Sequence, residues 1–90
     1  NMRITTKMLD YKIDQLNSIL GFPKEPYTFN GSKLKTNYNT YYIAKAYGGY
    51  RVEQMCKGGG SRDITERGTK KECYLYLKGM LEGIQAIGDI

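Results

Sequence analysis

Histidine is missing from the chain, and with it the side chain that most often acts as a general base near neutral pH and as a metal ligand. Asp63, Glu66 and Glu72 are acids close in sequence, but no nucleophile, oriented base or metal-ligand set accompanies them. We therefore expect no catalytic residue, no metal and no cofactor. The composition favours a binding protein over an enzyme.

Cysteines and long apolar runs are also scarce. Cys56 and Cys73 lack ligand spacing, and we expect both to be reduced thiols in a cytoplasm. No apolar run approaches the ~20 residues that cross a bilayer, and no signal peptide is recognisable, so we expect no membrane association. Asn1, ahead of Met2, is interpreted as foreign to the native chain. Residues 2–90 then make a single globular domain.

Positive charge exceeds negative charge. Fourteen Lys and Arg against nine Asp and Glu give a formal charge of +5. Such an excess attracts an anionic partner, which includes nucleic acid, a nucleotide or an acidic protein surface. It also serves simply to keep a small protein soluble, and charge alone does not separate the two interpretations.

Helices are predicted at both ends of the chain. Thr5 suits the N-cap and Gly21 the C-cap of a helix over about 5–20. Thr69 and Glu72 form a capping box that opens a second helix over about 69–88. Apolar residues recur at helical spacing in both segments: Leu9, Ile13, Leu16 and Leu20 in the first, and Cys73, Leu77, Met80, Ile84 and Ile87 in the second.

The second helix is apolar or small around most of its circumference, so we expect it to bind a partner chain. Gly79 and Gly83 lie one turn apart and each costs ~1 kcal/mol relative to alanine. Two explanations remain open: tight packing within the domain, or a self-complementary contact that makes a homo-oligomer.

Strands are predicted between the helices, within 26–65. Asn30-Gly31-Ser32-Lys33 reverses a first hairpin, and Gly48-Gly49 is interpreted as the turn of a second. A short edge strand follows within 61–65. The fold class is therefore α+β in helix–strands–helix order, with an antiparallel sheet of three to five strands.

Five of the nine tyrosines lie in residues 38–50. By alternation Tyr42, Ala44 and Ala46 share a face of small residues, on which a helix or a flat ligand ring can pack closely. Tyr41 and Tyr47 share the other face. Tyr41, Tyr47 and Tyr50, with Arg51 nearby, predict an exposed row that stacks a base; core packing of these rings is the competing interpretation.

A phosphate site is predicted where the glycine run meets the second helix. Free backbone amides at Gly59 and neighbouring residues, the helix N-terminus and cationic side chains are what a phosphate requires. The residues assigned to this half of the site are Gly59, Ser61, Arg62, Lys70 and Lys71. A solvated strand-to-helix loop is the alternative.

Two resemblances bear on function. Ala46-Tyr47-Gly48-Gly49-Tyr50, Gly58-Gly59-Gly60, Asp63-Ile64, Thr69-Lys70-Lys71-Glu72 and an opening Thr5-Thr6-Lys7-Met8-Leu9 resemble a family of small phage and prophage proteins. That resemblance implies a viral accessory protein acting in the cytoplasm of an infected bacterium, in a counter-defence role. The helix–strands–helix order, with Lys70-Lys71 opening the second helix, also looks like a double-stranded RNA-binding domain, whose histidine-bearing loop has no counterpart here.

The resulting hypothesis is a non-catalytic phage protein that sequesters a nucleotide-like anion. Tyr47, Tyr50 and Arg51 hold the base, and Gly59, Ser61, Arg62, Lys70 and Lys71 hold the phosphates. An RNA- or DNA-binding module and a protein–protein inhibitor of a host effector are the alternatives.

Overall fold

The computed structural model describes residues 3–88; Asn1, Met2, Asp89 and Ile90, the ends of the expected domain, lie outside that range. The order is helix, five strands, helix, which confirms the predicted α+β class. The elements are α1 (Thr6–Leu20), β1 (Tyr27–Asn30), β2 (Lys33–Thr36), β3 (Tyr41–Ala46), β4 (Gly49–Met55), β5 (Ser61–Asp63) and α2 (Lys70–Gly88).

Local signals set the ends of both helices. The Thr5 hydroxyl accepts a hydrogen bond from the Met8 amide, and Gly21 ends α1 in the left-handed conformation at φ 75°. At α2, Glu72 accepts from the Thr69 amide while the Thr69 hydroxyl accepts from the Glu72 amide, at 2.9 and 3.1 Å. The predicted caps are therefore confirmed, because orphan amides at a helix start need such acceptors.

The strands form two antiparallel sheets, β1-β2 and β3-β4-β5. Both helices pack on one face of the larger sheet, α1 on β3 and α2 on β4, and they also contact one another. Tyr41 and Val52 join the apolar residues of both helices in the core, with Ile43 beside them. The small-residue face of Tyr42, Ala44 and Ala46 is thus the side away from the helices, and the expected exposed tyrosine row is wrong at Tyr41.

The outer edge of β3 is covered by a side chain. Asn17 of α1 is fully buried, and its amide Nδ2 donates to the Tyr41 carbonyl at 2.9 Å. The Tyr41 amide donates in turn to Asn17 Oδ1, also at 2.9 Å. A strand edge otherwise presents unpaired backbone groups, so Asn17 takes the place of a neighbouring strand at this residue.

The β1-β2 hairpin stands apart from the core. Phe29 pairs with Leu34 across the hairpin, and these side chains remain 75% and 55% exposed. Hydrogen bonds from Asn37 fix the base of the hairpin to the connector, with its backbone amide donating to Pro26 at 2.9 Å and Nδ2 donating to Glu25 at 2.8 Å.

The outward face of α2 is exposed, although its inner face is core. Leu75, Tyr76 and Ile87 are exposed, and a Cβ added at Gly79 or Gly83 would meet no atom of the described part of the chain within 4 Å. Packing of these glycines within the domain, one of the two open explanations, is therefore wrong. Neither of the described helices is long and apolar enough to span a membrane.

Cys73 belongs to the core, and both cysteines are free. Burial raises the pKa of the Cys73 thiol, which keeps it protonated and unreactive.

Candidate functional site

The turn between β3 and β4 differs from the predicted one. Ala46 pairs with Gly49, so the two turn residues are Tyr47 and Gly48, at φ 51° and 76°. Two successive left-handed residues are typical of a type I′ hairpin, in which asparagine and glycine are the usual occupants. A tyrosine there costs ~1 kcal/mol or more in backbone strain. In this conformation the Tyr47 ring is 96% exposed to solvent.

The segment before α2 lies beside this turn. Tyr50 and Gly68 exchange two backbone hydrogen bonds of 2.8 Å each, which joins the start of β4 to the residue just before the α2 cap. The Arg67 side chain crosses over Gly49, where any Cβ would collide with it. Its guanidinium carbon then sits 5.4 Å from the centre of the Tyr47 ring. Glycine at 49 is thus required by close approach rather than by the turn.

The Tyr50 ring lies on the same surface as Tyr47 and Arg67 and has two cations beside it. Lys45, its cross-strand partner, places Nζ 6.0 Å from the ring centre, and Lys70 of α2 places Nζ at 5.7 Å. Both distances are in the range of cation–π attraction. We call the five side chains of Lys45, Tyr47, Tyr50, Arg67 and Lys70 the turn cluster.

A fourth pairing of a cation with a tyrosine continues this surface along α2. Tyr74 lies one turn after Lys70, and Lys12 of α1 sits 5.6 Å from its ring centre. Lys7, Met8, Tyr11, Lys12 and Tyr74 line a shallow cleft of about 350 Å³ between the helices. Cations and phenol rings therefore alternate from α1, past the start of α2, to the β3-β4 turn.

The charge of the turn cluster is positive. It holds three cations, and Lys71 is exposed on the next residue of α2. Of the nearby acids, Glu66 is exposed, whereas Glu72 is held by the α2 cap, where hydrogen bonds from the Thr69 amide and hydroxyl lower its pKa. The partial positive charge of the helix start adds to the attraction for an anion.

The glycine run is not part of this surface, contrary to the prediction. Met55 pairs with Ser61 at the far end of β4, and Cys56 donates to the Gly60 carbonyl. Because Tyr50 and Met55 are five residues apart in an extended strand, the two ends lie ~16 Å apart. Gly59 faces Thr36 of the β1-β2 hairpin rather than α2. The predicted cradle of glycine loop and helix start is therefore not assembled.

The other predicted phosphate ligands are occupied by protein groups. Arg51 alternates with Tyr50 and points to the opposite face, where it binds Glu53 at 2.6 Å and Asp63 at 3.2 Å. Ser61 donates to Glu53 at 3.2 Å. Arg62 donates twice to the Gln54 side-chain oxygen, at 3.0 and 2.7 Å. Arg51 and Ser61 thus surround a carboxylate, which is the opposite of an anion site.

This carboxylate predicts a pH dependence of stability. Burial raises the pKa of Glu53, whereas hydrogen bonds from Tyr42 and Arg51 lower it. The lowering is the larger effect, so the pKa of Glu53 lies below the ordinary 4.5. A carboxylate whose pKa is lower in the folded than in the unfolded protein stabilises the fold at any pH above its unfolded-state pKa. That stabilisation is lost as the pH falls through its folded-state pKa. We expect Glu53→Gln to lower the melting temperature at neutral pH and to flatten its decline below pH ~4.5.

Thermal unfolding monitored by circular dichroism across the acid range measures this effect. Glu66→Gln changes an exposed carboxylate and is the matched control. An acid decline of equal steepness in wild type and Glu53→Gln would remove Glu53 from the explanation.

Sequence reasoning found Tyr47, Tyr50, Lys70 and Lys71 but missed Lys45 and Arg67. Lys45 had a readable signal, because a Tyr47-Gly48 turn places it directly opposite Tyr50. Arg67 had no readable signal in the sequence, because its position beside Tyr47 depends on the backbone bridge between Tyr50 and Gly68.

Within residues 3–88 no three His, Cys, Asp or Glu side chains are grouped to hold a metal ion. Comparison of the chain with protein-family models, with curated proteins and with solved structures returned no significant match. The turn cluster is therefore the feature of the molecule that bears on function.

Proposed function

We propose that this chain is a non-catalytic nucleic-acid-binding domain that holds a phosphate backbone along the turn cluster and stacks bases on its tyrosines. The observation that supports the proposal most is the exposure of the Tyr47 ring on a left-handed backbone. A strained backbone presents its ring almost fully to solvent with Arg67 beside it, and the ring is not part of the core that residues 3–88 form. Backbone strain of this kind is retained chiefly where function depends on it.

An extended ligand fits this surface better than a single nucleotide. The cations lie on three elements, at Lys45 of β3, Arg67 of the connector and Lys70 of α2, and the α1 cleft prolongs the surface. Several phosphates are needed to engage them all. The exposed ring of Tyr47 and the partly buried rings of Tyr50 and Tyr74 can stack on bases of the same strand. The nucleotide-sequestration hypothesis required one pocket, but Lys70 lies beside Tyr50, whereas Gly59 and Ser61 lie at the opposite end of β4.

Fluorescence anisotropy with labelled RNA tests the proposal. We expect wild-type protein to bind an RNA of about 20 nucleotides and to lose about 50-fold in affinity between ~50 and ~200 mM salt, as release of ions from roughly four phosphates requires. Adenosine monophosphate should not compete at micromolar concentration. Competition by the mononucleotide with little salt dependence would favour the sequestration hypothesis, and no binding at all would favour a protein partner.

Tyr47→Asn separates function from stability. Asparagine tolerates the left-handed turn, so we expect the free energy of unfolding to rise by ~0.5–1 kcal/mol. Loss of a stacked base should weaken RNA binding ~10-fold. Chemical denaturation and anisotropy on the same samples measure the two effects. An unchanged affinity would show that the ring does not contact RNA.

Phage origin, a counter-defence role and the cytoplasm of an infected bacterium stay predictions from the resemblance. Nucleic-acid binding is compatible with that setting and does not depend on it.

A further inference from the structure

The outward face of α2 carries apolar side chains that the fold leaves uncovered. Leu75 is 52% exposed, Tyr76 is 43% exposed and Ile87 is 74% exposed. The exposed residues Gly79 and Gly83 lie along the helix between these side chains. Two exposed glycines inside a helix cost ~1 kcal/mol each, and no neighbouring atom among residues 3–88 requires them. An approaching backbone does require them, because only glycine leaves room for it.

The order of residues on this face is symmetric about position 81. Reading outward from Leu81, glycine stands two residues away on both sides, at 79 and 83. Further out, Tyr76 and Leu75 on one side correspond to Ala86 and Ile87 on the other. An antiparallel two-fold contact places each residue opposite its counterpart or the counterpart's neighbour, so this face is complementary to itself.

Charge at the rim agrees with the same arrangement. Lys78 and Glu82 lie along one edge of the face and pair within the helix at 3.8 Å, with both side chains more than half exposed. In an antiparallel crossing centred on position 81, Lys78 of one copy comes beside Glu82 of the other. The rim is thus attractive toward a second copy.

We propose that α2 binds α2 of a second copy, antiparallel and crossing at the glycines. Gly79 of one copy then packs against Gly83 of its partner, with Leu75 beside Ala86 and Tyr76 beside Ile87. Ridges spaced four residues apart cross at ~50° in such a contact. One helix from each copy buries less than the ~800 Å² per partner of a standard interface, so we expect a micromolar dissociation constant.

If the turn cluster binds nucleic acid as proposed above, the dimer presents two such clusters to one strand. Lys70 begins α2, and at ~1.5 Å rise per residue the two helix starts lie about 30 Å apart at the ends of the dimer. A strand long enough to reach both turn clusters then binds at two points, which raises affinity without any new contact.

Sedimentation of the full chain without nucleic acid tests the dimer directly. We expect wild type to convert from monomer to dimer between ~1 and ~300 μM, and Gly79→Gln with Gly83→Gln to stay monomeric. Both substitutions raise helix propensity, so at low concentration the variant should melt at the same temperature or higher, which excludes unfolding as the cause. Phe29→Ser, in the other exposed apolar patch, should dimerise like wild type.

A wild-type chain that stays monomeric at ~300 μM, or a double variant that dimerises as wild type does, would overturn the proposal. If Phe29→Ser instead removes the dimer, the interface is the β1-β2 hairpin and the proposal is wrong. For the two-point consequence, the double variant should lose at least ~10-fold affinity for a long RNA and none for an RNA of about six nucleotides. Absence of RNA binding by both proteins would overturn the proposed function and leave the sedimentation result unaffected.

Discussion

Replacing Lys45, Arg67 and Lys70 together by glutamine is expected to lower RNA affinity about 100-fold at ~0.1 M salt. The expectation follows from counterion release, because each lost phosphate contact of a single strand removes ~0.7 unit from the slope of log affinity against log salt. The slope should therefore become shallower by about two units. The three cations contact ring faces rather than the core, so the melting temperature should fall by only a few degrees.

A matched variant separates position from total charge. Lys33, Lys35 and Lys57 are exposed and belong to the β1-β2 hairpin and the glycine loop. Removing either set of three positive charges takes the formal charge from +5 to +2. We expect the control to keep at least a third of the wild-type affinity. Equal losses in both variants would mean that RNA responds to net charge and that the turn cluster is not a site.

Asn17→Ala is expected to produce the largest change in stability, about 3 kcal/mol. The substitution leaves both the amide and the carbonyl of Tyr41 without partners in a buried position. Each such group costs ~1–3 kcal/mol when unsatisfied. For a domain of this size the melting temperature should fall by roughly 15 °C.

Ser18→Ala is the control, because Ser18 is the exposed neighbour of Asn17 on α1 and alanine favours the helix. Urea denaturation of both variants gives the two free energies of unfolding. If Asn17→Ala unfolds within 1 kcal/mol of Ser18→Ala, then water or backbone movement satisfies Tyr41 and the edge-covering role is wrong.

The helices were predictable because their signals are local. Leu9, Ile13 and Leu16 repeat at helical spacing, and the caps at Thr5 and Thr69 lie within four residues of the amides they satisfy. The β1-β2 hairpin was predictable for the same reason, because its reversal lies within the Asn30–Lys33 segment. Asn30 pairs with Lys33, so the two turn residues are Gly31, at φ 68°, and Ser32. The edge-covering role of Asn17 was not predictable, because its partner Tyr41 is twenty-four residues away and nothing in α1 indicates a strand edge.

The candidate site was half predictable. Tyr50 and Lys70 were grouped correctly, since they are an aromatic strand residue and a helix-start lysine. The turn was wrong by one residue, because Gly48-Gly49 has the better intrinsic turn chemistry, whereas Gly49 is needed where Arg67 crosses. The glycine loop was assigned to α2 by closeness in sequence. The bridge from Tyr50 to Gly68, a nonlocal pairing, decides which end of β4 adjoins the helix.

The most direct measurement is an amide chemical-shift titration of ¹⁵N-labelled protein with an RNA of about 20 nucleotides. We predict that the amides of Tyr47, Gly48, Arg67 and Lys70 shift together with increasing RNA, while those of the 58–61 loop at the far end of β4 do not move. Shifts concentrated on Gly59 and Ser61, with the β3-β4 turn unchanged, would contradict the assignment of the turn cluster as the binding surface.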